Sequence, residues 1–81
     1  MALTSGKEPK RTVNALGLLC PLPILRTAAV MKSLRAGSLV LVLSDDPGIV
    51  DDLPEWCEET GNELVELTKE GQHWRGLVRK N

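Results

Sequence analysis

The sequence predicts an α/β (α+β) fold, a two-layer α/β sandwich with two helices on one face of a four-stranded mixed sheet. Three observations predict it: two segments with helical apolar spacing, a β-prone run between them, and two β-prone segments at the end that flank a Gly-containing turn. The predicted order is β-α-β-α-β-β. With 81 residues and 42% apolar residues, the chain is long enough for one small core.

The first three elements follow from spacing and from Gly and Pro positions. Residues 12–16 alternate weakly and end at Gly17, which indicates a short strand and a turn. Apolar residues recur every three to four positions over 23–36, so we predict a helix that begins at Pro23. The run S-L-V-L-V-L-S over 38–44 is typical of a buried or central strand. A right-handed β-α-β unit is the default connection.

The second half of the chain predicts a helix and a hairpin. An acidic turn over 45–48 leads into apolar spacing over 49–60 that predicts the second helix. Pro54 lies inside this helix, so either a short turn precedes a helix that begins at Pro54 or one helix is kinked there. Residues 63–69 and 73–80 predict the two strands of the hairpin.

Composition bounds the domain organisation and the class of protein. Residues 1–10 are polar and lack periodicity, which predicts a flexible tail ahead of a single domain over residues 11–81. No apolar run reaches signal-peptide or membrane-span length, so we expect a cytoplasmic protein without membrane contact. Two cysteines and the single His73 do not form a metal-ligand pattern, so no metal is predicted. No cofactor is predicted either. A chain this small leaves little room for a deep cavity, which favours a protein that works docked on a larger one.

The charges are segregated although the net charge is only −1. Basic residues dominate residues 1–40 and the segment from Lys69 onward, whereas residues 41–68 carry nine acids and no base. Each cluster alone is typical of a solvated face, but the set favours oriented docking on a partner. The acidic middle and the lack of aromatic residues interleaved with bases argue against direct nucleic-acid binding.

The segment A-L-G-L-L-C-P-L-P-I-L places Cys20 just ahead of the first predicted helix. Pro21 and Pro23 stiffen this approach, so the sulfur should point outward. The first N–H groups of a helix lack partners one turn back and, with the helix dipole, favour negative charge. We therefore expect an exposed Cys20 with a lowered pKa, since the thiolate is the reactive form. Arg26 is expected either to lower that pKa further or to meet an acidic partner.

Three other residues are candidates for the surroundings of the site. Asp45 and Asp46 suit a helix-entry loop and suit equally a partner-facing edge near the Cys20 loop. Cys57 lies on or beside the apolar stripe of the second helix, among glutamates. Because burial and nearby acids both raise a thiol pKa, we predict that Cys57 packs in the core rather than acting as a resolving cysteine.

The segments G-L-L-C-P-L-P, D-D-P and W-C-E-E-T-G-N-E-L, in this order over about residues 13–80, resemble the TusA/SirA family of small sulfur-carrier proteins. That resemblance implies that Cys20 carries sulfane sulfur as a persulfide and relays it in tRNA thiolation, sulfur oxidation or cofactor biosynthesis. It implies a sulfur donor protein such as a cysteine desulfurase or a rhodanese, and a downstream acceptor protein. The chain would act stoichiometrically with those enzymes. Leu19 and Leu22 replace charged residues of the family's best-known member, which makes the surroundings of the cysteine more apolar.

Two other functions stay open on the sequence. A regulatory or binding module would use Cys20 only structurally and would draw on the basic residues near both chain ends. A thiol redox protein would pair Cys20 with Cys57, which requires Cα atoms within about 7 Å.

Overall fold

The computed structural model describes residues 9–81 and confirms the predicted two-layer architecture. Of the predicted tail over residues 1–10, residues 1–8 lie outside the described residues. No helix within residues 9–81 has the length and apolar composition needed to cross a membrane. The elements in chain order are β1 (Arg11–Asn14), α1 (Leu22–Met31), β2 (Leu39–Ser44), α2 (Ile49–Thr60), β3 (Glu63–Glu70) and β4 (His73–Arg79).

The four strands form one mixed sheet in the order β1-β2-β4-β3. β1 pairs with β2 in parallel, as expected for strands joined by a helix, and the pairs β2–β4 and β3–β4 are antiparallel. The Lys10 N–H donates to the Leu39 carbonyl at 2.8 Å, which extends the β1–β2 pairing to a residue that the sequence placed in the tail.

The core lies between the sheet and the two helices. Alternate residues of β2, among them Val40 and Val42, face the helices, whereas Leu41 and Leu43 are half-buried on the other face. Leu53 of α2 is fully buried and packs directly on the backbone of Gly76 in β4. The buried apolar residues of this cluster are Val13, Met31, Val40, Val42, Ile49, Leu53, Cys57 and Val78.

The first helix is shorter than predicted, because it ends at Met31 rather than at residue 36. The Lys80 ammonium donates to the carbonyls of Met31 and Leu34, so a cation from the far end of the chain satisfies groups that a longer helix would use. The Leu34 N–H bonds the Met31 carbonyl at 3.1 Å, three residues back, as in a tightened last turn. The sequence of α1 carries no signal of this distant cap.

The structure also differs from the prediction at the end of β1 and decides between the two alternatives for Pro54. β1 ends at Asn14 rather than at Leu16, because the Asn14 side-chain oxygen accepts the Leu16 N–H at 3.1 Å and turns the chain. Pro54 lies inside one continuous helix, α2. The backbone hydrogen bond that Pro54 cannot donate would have gone to the carbonyl of Val50, the second residue of α2, which is exposed.

We expect Gly76→Ala to lower the free energy of unfolding by about 1–3 kcal/mol, because a Cβ at this position would collide with the Leu53 side chain. Urea unfolding followed by tryptophan fluorescence measures the change. Gly48→Ala is the control, since its Cβ would meet only ordinary contacts of 3.5–3.6 Å. A Gly76→Ala protein as stable as the wild type would contradict this packing.

Candidate functional site around Cys20

Two loops meet at one edge of the sheet and form the surroundings of Cys20. Because β1 and β2 are parallel, the segments that follow them, residues 15–21 and 45–48, leave the sheet at the same edge. The pairing continues past Asn14, since the Ala15 N–H donates to the Leu43 carbonyl at 2.8 Å. Cys20 therefore lies beside the acidic turn that leads into α2.

The side chains of Asp45 and Asp46 hold the backbone of the Cys20 loop. The Gly17 N–H donates to Asp45 Oδ1 at 3.0 Å, and the Cys20 N–H donates to Asp46 Oδ2 at 2.8 Å. Asp46 Oδ1 also accepts the Gly48 N–H at 3.1 Å, at the N-cap of α2. The structure thus places both acids in the helix-entry loop and next to the Cys20 loop. Their contact with a partner stays a prediction.

The loop backbone turns twice before α1 begins. Gly17 has φ of 82°, a left-handed conformation that favours glycine. The Leu22 N–H donates to the Leu19 carbonyl at 2.9 Å, and the peptide bond between Cys20 and Pro21 is cis. These turns bring Cys20 to the surface, where the structure leaves it exposed. The prediction of an exposed sulfur is confirmed.

The start of α1 differs from the one predicted. The helix begins at Leu22 with Pro21 as its N-cap, and Pro23, buried, is its second residue. The N–H groups of Ile24 and Leu25 both donate to the Pro21 carbonyl at 3.1 Å. The Cys20 N–H is held by Asp46, so these nearby donors already have acceptors other than the thiol.

The predicted lowering of the Cys20 pKa is wrong, because acids surround the thiol. Its pKa is raised above the ordinary value, first by a hydrogen bond to the Asp52 carboxylate, then by partial desolvation and by the negative charges of Asp52 and Asp46. Of the two roles expected for Arg26, lowering this pKa is not supported, because Arg26 is not among the charges that shift the pKa of the thiol. Its contact with an acidic partner stays a prediction. The free thiol is therefore stored in its protonated form.

Four leucines that lie within five residues of Cys20 in the sequence are exposed, and we call Leu16, Leu19, Leu22 and Leu25 the leucine surface. All four are exposed, and Leu19 presents 70% of its area to solvent. Leu22 and Leu25 also line a shallow groove with Arg26, which is exposed. Exposed leucines next to a reactive group are typical of a protein contact surface.

Cys57 lies in the core and has no bond to Cys20. It is 3% exposed, and burial raises its pKa to about 11. The prediction that Cys57 is a packing residue agrees with this burial. A thiol held protonated in the core is poorly suited to a redox pair with an exposed one.

Asp52 is the site residue that sequence reasoning missed. Acids are favourable in the first turn of a helix, so the position of Asp52 in α2 can be explained without any role at the site. Only the tertiary structure connects it with Cys20.

A more enclosed hollow of about 160 Å³, lined partly by Leu41 and Arg75, lies away from both cysteines. Within residues 9–81, no group of three or more His, Cys, Asp and Glu side chains is arranged to hold a metal ion.

The fold and the site define a small two-layer α/β protein that presents one exposed cysteine at the start of a helix. The family model described as Sulfurtransferase TusA matches residues 11–80. The chain belongs to the TusA family.

Individual relatives agree with this assignment. A putative sulfur carrier protein of Archaeoglobus fulgidus is 41% identical over 68 residues, which cover 84% of this chain and 93% of that protein. The sulfur carrier protein TusA of Allochromatium vinosum is 39% identical over 69 residues, which cover 85% of this chain and 91% of that protein. The crystal structure of a SirA-like protein from Desulfitobacterium hafniense matches with a TM-score of 0.76 and 28% identity, over 85% of this chain and 95% of that chain.

The buried Cys57 makes stability depend on pH in the alkaline range. Because its folded-state pKa of about 11 lies above the ordinary value of 9.0, the folded state resists ionisation. We expect the free energy of unfolding to be unaffected below pH 9 and to fall by about 2–3 kcal/mol as the pH rises to 11. Urea unfolding at several pH values measures it.

Cys57→Ala is the control, because it removes this ionisation and leaves every lysine in place. The decline that separates wild type from Cys57→Ala should be confined to the range between pH 9 and 11. Parallel stability curves for the two proteins across that range would show that the burial of Cys57 does not act on its ionisation.

Proposed function

We propose that this chain is a sulfur carrier that accepts sulfane sulfur as a persulfide on Cys20 and passes it to an acceptor protein. Membership of the family and the names of the relatives support the sulfur-carrier role. The observation that supports Cys20 as the carrying residue is its exposure, since the other cysteine is buried. A sulfur atom that passes directly between two proteins must be within reach of both.

The leucine surface supports transfer between docked proteins rather than catalysis in an enclosed pocket. The centres of protein interfaces are apolar, and the leucine surface offers four exposed apolar side chains close to Cys20 in the sequence. Arg26 lies beside the leucine surface, whereas Asp45 and Asp46 lie toward α2. The leucine surface is therefore flanked by a positive charge on one side and by negative charges on the other. Charges at such a rim act mainly on encounter rate and orientation.

The transfer is an exchange of the thiol–disulfide kind. Cys20 Sγ attacks the terminal sulfur of a donor persulfide, R–S–S–H, so that a new Sγ–S bond forms while the donor S–S bond breaks. The donor sulfur leaves as R–S–H with the proton that Cys20 gives up, and no external oxidant or reductant is needed. Unloading follows the same scheme, with an acceptor thiol in the role of Cys20.

We assign supporting roles to the other predicted site residues. Pro21 and Pro23 fix the path from Cys20 into α1, and Asp45 and Asp46 hold the loop in place. Arg26 is available for an acidic group of a partner. The donor fits a cysteine desulfurase or a rhodanese of the cytoplasm, and the acceptor belongs to tRNA thiolation, sulfur oxidation or cofactor biosynthesis.

Intact mass measurement after incubation with a cysteine desulfurase and cysteine tests the proposal. Wild type and Cys57→Ala should each gain one sulfur atom, because Cys20 is present in both. Cys20→Ser should gain none. Dithiothreitol should remove the added sulfur, as expected for a persulfide.

Two results would overturn the assignment of Cys20. One is a sulfur gain that persists in Cys20→Ser. The other is the absence of any gain on wild type when rhodanese with thiosulfate, or a small-molecule persulfide, replaces the desulfurase.

A further inference from the structure

We propose that the outer face of α1 is a docking groove for the sulfur donor protein, and that the donor segment it binds is apolar and carries a carboxylate that pairs with Arg26. The inference deepens the proposed function and rests on it for the identity of the partner. Its test measures binding rather than sulfur transfer, so the two can fail separately.

The outer face of α1 is apolar, whereas a helix that packs on a sheet normally has a polar outer face. The residues of α1 that are buried in the core are Pro23, Thr27 and Met31. On the opposite face, Leu22 and Leu25 are 48% and 58% exposed, and Ala29 is exposed as well. Because these three residues lie three and four positions apart, they form one stripe along the helix, together with Arg26.

The second helix has the ordinary pattern, although it packs on the same face of the sheet. Its buried residues are Ile49, Leu53 and Cys57. Its exposed charged residues are all acidic: Asp51, Glu55, Glu58 and Glu59. The apolar outer face of α1 is therefore not a general consequence of the fold. Contiguous exposed apolar side chains are typical of a surface that another protein covers.

The stripe lines a shallow groove, which we call the α1 groove, and this groove adjoins the turn that carries Cys20. The lining residues are Leu18, Leu22, Leu25, Arg26 and Ala29. The Leu22 N–H donates to the Leu19 carbonyl at 2.9 Å, which closes a tight turn around Cys20. Since this turn joins Leu18 to Leu22, a segment bound in the α1 groove would hold its protein close to the exposed sulfur.

Arg26 determines which kind of partner fits the α1 groove. It is the sole charged residue in the lining, and α1 contains no acid. The ion pairs within residues 9–81 involve His73, Arg75 and Arg79, and none involves Arg26. A guanidinium forms its strongest hydrogen bonds with a carboxylate, which it can bind through two N–H groups. Charge complementarity therefore requires an acid beside the apolar side chains of the partner.

A second copy of this chain and an anionic membrane both fit the α1 groove less well. A symmetric dimer contact pairs the same patch of two chains. Arg26 lies near the middle of the stripe, between Leu22 and Ala29, so two like charges would meet in such a contact. An anionic lipid surface would be repelled by the exposed acids of α2, which packs beside α1.

The test is the affinity of a Cys20→Ser protein, which cannot exchange sulfur, for a cysteine desulfurase and for a rhodanese, measured by biolayer interferometry. We expect Leu25→Ala to weaken the binding of the donor by about fivefold or more, because it removes an exposed apolar side chain from the groove. Val50→Ala is the matched control, since Val50 is a 39% exposed apolar residue of α2 outside the groove. Its affinity should stay within about twofold of the parent.

Substitutions of Arg26 test the carboxylate of the partner. Arg26→Gln should weaken binding by about threefold, and Arg26→Glu by about tenfold or more, because a glutamate would repel that carboxylate. Arg35→Glu is the control, since it makes the same charge change at an exposed residue outside the groove. Added salt should weaken the binding of the parent more than that of Arg26→Gln, because salt screens the ion pair.

Four results would overturn the proposal. They are equal affinities of Arg26→Glu and Arg26→Gln, a Leu25→Ala protein that binds as well as Val50→Ala, binding of the parent to neither donor, and loss of affinity in Arg35→Glu equal to that in Arg26→Glu. A dimer in sedimentation velocity, or pelleting with phosphatidylglycerol vesicles, that Leu25→Ala abolishes would also overturn it and would assign the groove to a second copy or to a membrane.

Circular dichroism confirms that each variant is folded, and Leu22→Ala replaces Leu25→Ala if the latter is not. Binding that depends on the groove without any sulfur gain in the mass measurement would defeat the proposed function alone. Sulfur gain on Cys20 with affinities that none of these substitutions changes would defeat this inference alone.

Discussion

The loop that carries Cys20 has its shape because carboxylates from another segment hold its backbone. Between β1 and α1 the chain has no regular secondary structure. Ala15 is buried, but Leu16 and Leu19 are exposed, so apolar burial holds only the first part of the segment. The N–H groups of Gly17 and Cys20 bond instead to Asp45 and Asp46. Hydrogen bonds to ionised groups are among the stronger hydrogen bonds in proteins, and these two fix the loop backbone at two points. Because Asp46 also bonds the Gly48 N–H, one carboxylate fixes both the loop and the start of α2.

The position of those acids depends in turn on how α2 packs. Leu53, which directly follows Asp52, is buried against Gly76 of β4. The first turn of α2 is therefore anchored in the core, and Asp46 is bonded to the N-cap of that helix, Gly48. The pKa of Cys20 is raised by Asp52 and, less strongly, by Asp46, which also holds the Cys20 N–H. The site therefore combines a well-positioned, exposed sulfur with low intrinsic reactivity, which suits a carrier that should react only with its docked partners.

Much of the fold could be predicted from local patterns, whereas the chemistry of the site could not. Apolar patterns and the Gly- and Pro-containing turns between them identified both helices and all four strands. The end of α1 was misjudged because its cap, Lys80, lies 49 residues beyond Met31. The pKa of Cys20 was misjudged because the sequence shows that amides lie at the start of the helix but does not show their acceptors. The Pro21 carbonyl accepts two of these N–H groups, and only the folded chain brings Asp46 and Asp52 close enough to act on the thiol. The exposure of Cys20 was predicted correctly because two nearby prolines constrain the backbone locally.

The most direct test of this account is amide hydrogen exchange at Gly17 and Cys20, followed by NMR. We predict that both N–H groups are protected in the wild type. Asp46→Ala should abolish protection at Cys20 and spare Gly17, and Asp45→Ala should do the reverse. Exchange at Cys20 in the wild type as fast as in an unstructured peptide would show that Asp46 does not hold the loop.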